Sequence, residues 1–255
     1  LSLLLFSPLS LPERLRTGLV TLYLKLLSNW QPLEQRTAYS WLQQYYGSGA
    51  FKTLWQPLLI GKFGKDASSI PMSWFWARIK KRSAKLGYLE GGFQVLIDRL
   101  VEEIKKNNGE IILASQGHAL RSYSKNFDKI IVTTSPQIFF PDLPSPKMLG
   151  ALNLILTLKK QFLTDNTYWL NINDPSFPFV AVVEHTNFVD PVHYGGNHIL
   201  YVGGYYPQDH PFFKMSAKEI LAIYLPYLQK INPSFEFQSL NVSKFKKFSS
   251  LYAQP

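Results

Sequence analysis

The segment 151–160, ALNLILTLKK, constrains the fold more than any other stretch. Leu152, Leu154, Leu156 and Leu158 alternate with Asn153, Ile155, Thr157 and Lys159. A period of two places the four leucines on one face of a strand. A strand of this kind needs neighbours on both sides and a layer over its apolar face. Three further runs, 168–172, 179–186 and 199–205, follow with turn residues between them. Together the four runs predict one largely antiparallel sheet with a buried face. Ser216 and Glu219 then form a capping box for the helix AKEILAIYLPYLQKI, which Pro226 should kink near Ala222.

The first 85 residues carry helix signals and no strand signal. Leu15, Leu19, Leu22 and Leu26 recur at helical spacing, which predicts that they form a buried face. Residues 32–46 read as a second helix stopped by Gly47. Ser48 is placed to cap a third, which Pro57 ends or kinks, and Ser69 with Pro71 starts a fourth. Trp30, Trp41, Trp55, Trp74 and Trp76 concentrate aromatic bulk in this region.

Between these regions, Gly91 and Gly92 precede a strongly amphipathic helix. Phe93, Leu96, Ile97, Leu100, Val101 and Ile104 fall on one face. The short apolar runs EIILAS (110–115) and FDKIIVTTSP (127–136) read as strands, and the helix is expected to pack on 111–113 and 130–132. The class is therefore α+β: a helical region plus an antiparallel sheet, with a partial α/β piece inserted. A glycine pair before a helix either makes the turn or lets backbone approach a phosphate or planar cofactor.

Composition excludes several chemistries. There is no cysteine, so disulfides, thiolate metal sites and cysteine nucleophiles are absent. This suits a reducing, cytoplasmic location. The net charge is +10, but the basic residues are spread over pairs such as Lys105-Lys106 and Lys159-Lys160 and the run Lys80-Lys81-Arg82. Nucleic acid is not the expected partner, because its binders concentrate such charge on one element. Solvated surface accounts for the pattern, and peripheral contact with an anionic membrane is the next reading. The opening LSLLLFSPLSL lacks a basic leader and is broken by Pro8, so it reads as a buried segment rather than a signal peptide. The absence of an initial methionine suggests a fragment or a processed product. His185, His193, His198 and His210 lack metal-ligand spacing, so no metal is expected. No GxSxG, kinase or P-loop pattern occurs.

Two polar clusters remain. Glu184, His185 and Asn187, in EHTN, close an apolar strand. They could orient a polar group of a substrate or tie neighbouring loops. Tyr205 and Tyr206 close the next strand, as aromatic walls of a substrate site or as core. Alternation puts Val180, Val182 and Glu184 on one face and Ala181, Val183 and His185 on the other. At least one of Glu184 and His185 is expected at a cavity rim, near Tyr205, Tyr206 or Asn187, because neither is tolerated unpaired in an apolar core.

Six segments carry a resemblance: LWQPLLIGKFG (54–64), PMSWFWARIKKR (71–82), GYLEGGFQVLIDRL (87–100), FDKIIVTTSP (127–136), VVEHTNFVDPVHYGG (182–196) and the closing YAQP (252–255). In this order the chain resembles the middle of an FAD-dependent oxidoreductase, in the superfamily of flavin-containing amine oxidase, protoporphyrinogen oxidase and phytoene desaturase. The resemblance implies a helical part of a substrate domain at 1–85 and a partial FAD-domain piece at 86–147. It implies the sheet and helix of the substrate domain at 148–231 and a return segment at 232–255. It also implies oxidation of a mostly apolar small molecule by hydride transfer to flavin, with Gly91 and Gly92 near the cofactor. Members hold the FAD pyrophosphate on a strand, a GxGxxG turn and a helix, and this sequence has no GxGxxG. FAD is therefore expected in a full-length parent and not on this chain alone. Ser115, Gln116, Gly117 and His118 also depart from the family's proline- and valine-bearing strand. A cofactor-free binding module or catalytically silent fragment is the alternative. A basic surface binder of membrane or nucleic acid is a weaker one.

Overall fold

The structure, a computed structural model, describes residues 3–83, 85–113, 127–133, 140–144, 148–236 and 242–254. It divides into two units. One joins Leu1–Leu86 with Leu149–Gln254, and the other is Gly87–Met148.

The first unit holds two cores. The helical core is built from α1 (Leu11–Leu26), α2 (Gln31–Glu34), α3 (Ala38–Tyr46), α4 (Ser48–Ala50), α5 (Gln56–Phe63) and α6 (Met72–Lys80). Residues 32–46, expected as one helix, are two, because Thr37 leaves the helix to cap α3 through Ser40 N–H. Gly47, with φ +88°, ends α3 as expected and also precedes α4. A π-helical turn, Phe51–Trp55, leads from α4 into α5, with Gln56 N–H bonded to Phe51 O just before Pro57 in the first turn of α5. Trp41, Leu42, Tyr46, Phe51 and Met72 are buried here.

The stripe Leu15, Leu19, Leu22 and Leu26 was expected to be buried, and it is exposed, with Leu26 71% accessible. α1 turns the opposite side inward. Thr17 and Leu24 are buried, Val20 packs on the core, and Thr21 shares a hydrogen bond with the Tyr46 hydroxyl. Both sides of α1 carry apolar residues, so spacing alone did not choose between them.

The second core lies under the sheet. β1 (Leu149–Leu158), β2 (Trp169–Asn171), β3 (Ala181–Glu184), β4 (His198–Pro207) and β5 (Val242–Gln254) form one antiparallel sheet in the order β2-β3-β4-β1-β5. β1 and β4 pair along ten residues each, from Leu149↔Pro207 to Leu158↔His198. The four alternating leucines are fully buried. They meet Ile220, Tyr224 and Leu228 of α8 (Ala217–Ile231), which begins at the expected Ser216–Glu219 capping box. Within the segment 232–255, expected as a return segment, Val242–Gln254 form β5 on the edge of this sheet. Lys247 of β5 donates to the carbonyls of Phe213 and Met215 just before α8.

In the second unit, α7 (Phe93–Lys106) forms as expected, with Gly92 at its N-cap and Asn107 at its C-cap. Its packing does not. Phe93, Leu96, Leu100 and Ile104 are exposed, and 111–113 and 127–133 form no strand. A strand needs a neighbour for its N–H and C=O groups. Among the described residues of this unit no strand is formed, so the expected packing of the helix on a sheet is not seen there. The Ser115–His118 departure lies outside the described residues.

Unequal losses follow for two leucines that the sequence treats alike. Leu156→Ala should cost about 2–5 kcal/mol in urea unfolding. Leu100→Ala, at a position 56% exposed, should change stability by less than about 1 kcal/mol. Similar losses at both positions would refute this division into buried and exposed faces.

Candidate functional site

The sheet has two faces, and α8 covers only one. Tyr206 lies on the covered face, where its hydroxyl donates to Pro178 O (2.8 Å) and meets the Tyr224 hydroxyl (2.8 Å). Burial pushes the Tyr206 phenol up to about 12 and raises Tyr224 as well, so both stay neutral. Tyr206 is a core residue.

Glu184 ends β3 on the same covered face and is wholly buried. One carboxylate oxygen accepts from Phe162 N–H and Leu163 N–H, both at 3.1 Å, and the other accepts from the Thr186 hydroxyl at 3.2 Å. His198 Nδ1 stands 3.8 Å away. Burial raises the Glu184 pKa, and the three hydrogen bonds oppose that shift. Asn187 works on the same loop. Its amide donates to Leu163 O (2.8 Å) and Thr167 O (2.9 Å) and accepts from Gln161 (2.6 Å). Glu184 and Asn187 therefore hold the N–H and the C=O of Leu163, which fastens the loop between β1 and β2 to the end of β3.

His185 sits on the opposite, second face. Its Nε2 shares a 2.6 Å hydrogen bond with the Tyr194 hydroxyl, and its ring meets that of Tyr201 edge-on at 5.6 Å. Burial lowers its pKa. Of the expected neighbours, Glu184 meets Asn187 at Leu163, and its side-chain hydrogen bonds lie away from Tyr205 and Tyr206. Glu184 pairs with Leu200 in the β3–β4 register. The two tyrosines lie five and six residues further along β4, roughly 17–20 Å away at about 3.3 Å per residue. The strands thus separate the expected site residues into a loop clamp (Glu184, Asn187), a core pair (Tyr206 with Tyr224) and two second-face residues, His185 and Tyr205.

The second face also carries Asn153, Trp169 and Tyr201, and it is partly open to solvent. At its Tyr205 end the helical core meets the sheet. Lys62 of α5 places its ammonium 4.6 Å from the Tyr205 ring centre and 6.0 Å from that of Trp74. Arg78 lies over the same Trp74 ring at 5.2 Å. Sequence reasoning missed Lys62, Trp74 and Arg78 as site residues. The four-residue spacing of Trp74 and Arg78 on one helix was a readable signal. The approach of Lys62 to Tyr205 is purely tertiary.

Gly91 and Gly92 both have φ +81°. A Cβ on Gly91 would stand 2.7 Å from a Val95 methyl, and Gly92 N–H is already donated to Leu89 O at 2.8 Å. The turn into α7 accounts for both glycines. Among the described residues no group of three histidines or carboxylates could hold a metal, and no helix is long and apolar enough to cross a membrane.

No protein-family model matches the sequence, and no curated protein matches it. Solved structures do. An oxidoreductase from Methanosarcina mazei matches over 96% of this chain and 63% of its own, with a TM-score of 0.61 at 14% identity. A protein from Pyrococcus furiosus matches over 90% of this chain and 61% of its own, with a TM-score of 0.53 at 13% identity. A protein from Exiguobacterium assigned as a protoporphyrinogen oxidase matches over 95% of this chain and 60% of its own, with a TM-score of 0.55 at 14% identity. The chain spans less than two thirds of the length of these structures. At such identities the likeness is one of fold alone.

The clamp role of Glu184 has a pH signature. An acid whose folded pKa is raised contributes stability below its unfolded value, about 4.3, and loses it as pH rises through the folded value. The stability of the native chain relative to Glu184→Gln should therefore fall as pH is raised from about 4. Glu184→Ala should cost about 2–4 kcal/mol, because it orphans two buried N–H groups. Unfolding curves across pH check both outcomes. A flat difference between native chain and Glu184→Gln would contradict the burial argument.

Proposed function

We propose that this chain is the substrate-binding portion, together with part of the cofactor-binding portion, of a flavin-dependent oxidoreductase acting on a mostly apolar small molecule. The observation that carries the reading is the combination of an oxidoreductase-like fold over nearly the whole chain with a sheet whose second face stays uncovered by α8. A bound flavin supplies hydride acceptance. The part of this chain is to wall and orient the substrate, using the rings of Tyr201, Tyr205 and Trp169. The amine oxidase, protoporphyrinogen oxidase and desaturase classes all remain within the reading, because fold does not select a substrate.

The reading requires a dinucleotide-binding segment elsewhere in a full-length protein. Sequencing the gene upstream of Leu1 should find a strand, a GxGxxG turn and a helix in frame. Their absence would leave a cofactor-free binding module. The chain purified alone should be colourless, with no absorbance at about 450 nm after denaturation. Stoichiometric FAD on it would overturn the assignment of the glycine pair to a turn.

An anionic membrane surface belongs to the same proposal. The exposed leucine stripe of α1 ends beside Lys25, and Lys80 donates to the carbonyls of Lys25 and Leu26. That bond brings the run Lys80-Lys81-Arg82 to the end of the stripe. Apolar residues bordered by cations suit acidic headgroups. The chain should float with vesicles of phosphatidylglycerol and phosphatidylcholine, and less with phosphatidylcholine alone. Leu19→Ser/Leu26→Ser should lose flotation, and equal flotation of this variant would sink the membrane contact.

A further inference from the structure

His185 follows β3 directly and is 4% exposed. Two rings enclose it on the second face. Tyr194 stands edge-on with ring centres 5.5 Å apart, and Tyr201 of β4 stands edge-on at 5.6 Å. The Tyr194 hydroxyl meets His185 Nε2 at 2.6 Å, which is short for a hydrogen bond between neutral groups. Tyr194 is half-buried and closes the 3-10 turn Pro191–Tyr194. That turn is held without the imidazole. Asp190 caps it by accepting from Val192 N–H at 2.9 Å, and the Tyr194 carbonyl accepts from the Asn197 amide at 2.8 Å. The charged neighbours are engaged elsewhere. Lys159 donates to Asn197 at 2.9 Å, Glu184 and His198 approach each other on the covered face at 3.8 Å, and His193 is exposed. Burial lowers the His185 pKa, so the ring is neutral at neutral pH. A neutral ring nitrogen on a phenol is a base in position.

We infer that Tyr194 and His185 form a proton-transfer pair, in which the Tyr194 hydroxyl meets an O–H or N–H of the substrate and His185 is the base behind it. The inference rests on the second face being the substrate wall, to which Tyr201 joins the pair. In the step, the O–H or N–H bond of the substrate breaks and its electron pair stays on oxygen or nitrogen. The proton passes to the Tyr194 oxygen while the Tyr194 O–H proton passes to Nε2, and the ring becomes imidazolium. The neutral ring must then carry its proton on Nδ1, leaving Nε2 as the acceptor. Oxidation at a C–OH or C–NH group has to shed such a proton. The pair therefore favours an alcohol- or amine-type substrate over a plain hydrocarbon chain, which offers Tyr194 no acidic hydrogen.

The test uses the full chain without flavin. An aryl sulfonyl fluoride probes the nucleophilicity of the phenol, with N-acetyltyrosine amide as the reference and mass spectrometry as the readout of labelling at Tyr194. At about pH 7 labelling of Tyr194 should exceed the reference about tenfold, and it should level off above an ionisation that lies below the ordinary histidine value of about 6.5. 4-Nitrophenol, an apolar O–H acid, should protect Tyr194. His185→Gln keeps an acceptor for the phenol but no base, and should bring the rate down to the reference, with circular dichroism as the check of folding. Nitrogen NMR of the native chain reads the tautomer without any variant, and Nε2 should be unprotonated in the neutral ring. Labelling no faster than the reference, unchanged labelling in folded His185→Gln, no protection by 4-nitrophenol, or a neutral ring protonated at Nε2 would each overturn the pair. Those failures leave the flavoenzyme reading standing, because the upstream gene sequence decides it. Conversely, fast labelling that depends on His185, without an upstream dinucleotide turn, would place the pair in a cofactor-free protein.

Discussion

The ten-residue pairing of β1 with β4 is the constraint on which the first unit depends. It fixes which side chains of both strands face α8 and which face away. A slip of one residue would carry Leu152, Leu154, Leu156 and Leu158 to the open face and bring Asn153 and Thr157 inside. The buried leucines, Val202 and Leu200 hold the register against that slip, and α8 seals them. The shared hydrogen bond of Tyr206 and Tyr224 ties strand to helix inside this core. One face is committed to α8; on the other, Val183 and Ile199 are buried while Asn153 and Trp169 are exposed.

Two of the titratable groups that drew attention are explained by the architecture. Glu184 closes β3 on the committed face, where a carboxylate is expensive to bury. It is tolerated because three donors converge on it, two of them backbone N–H groups that the loop could not otherwise satisfy. Asn187 takes the matching carbonyl. A substrate that drew on these hydrogen bonds would release the loop from the sheet.

What was legible in the sequence was local. The alternation at 151–158, the Ser216–Glu219 box and the stop at Gly47 each depend on residues within a few positions of one another. What was not legible depended on the presence of a partner. The α7 pattern states which side wants burial, and it cannot state that a sheet stands beside it. In α1, Leu15, Leu19, Leu22 and Leu26 compete with Val20 and Leu24, and the choice is made by Tyr46 and its neighbours, more than twenty residues away. β5 escaped notice because an edge strand carries lysines and serines, which blunt the apolar alternation and discourage further pairing. Lys62 gave no signal because Tyr205 is distant in the chain.

The two glycine-rich turns show why position in the fold outweighs motif. Gly47 and the Gly91–Gly92 pair all adopt positive φ before a helical segment. At Gly47 the backbone is held from outside. Arg16 of α1 donates to Tyr45 O and Gln44 O, and its guanidinium lies within 3.1 Å of where a Gly47 side chain would begin. The arginine occupies the carbonyl end of α3, where a cation is favoured by the helix dipole. The turn is thereby committed to joining α1 and α3. Gly92 has open space where its side chain would be. The difference lies in which side chains the fold delivers to each turn, and an anion-binding role requires cations or free N–H groups delivered to it. Gly92 N–H is bonded within its own turn.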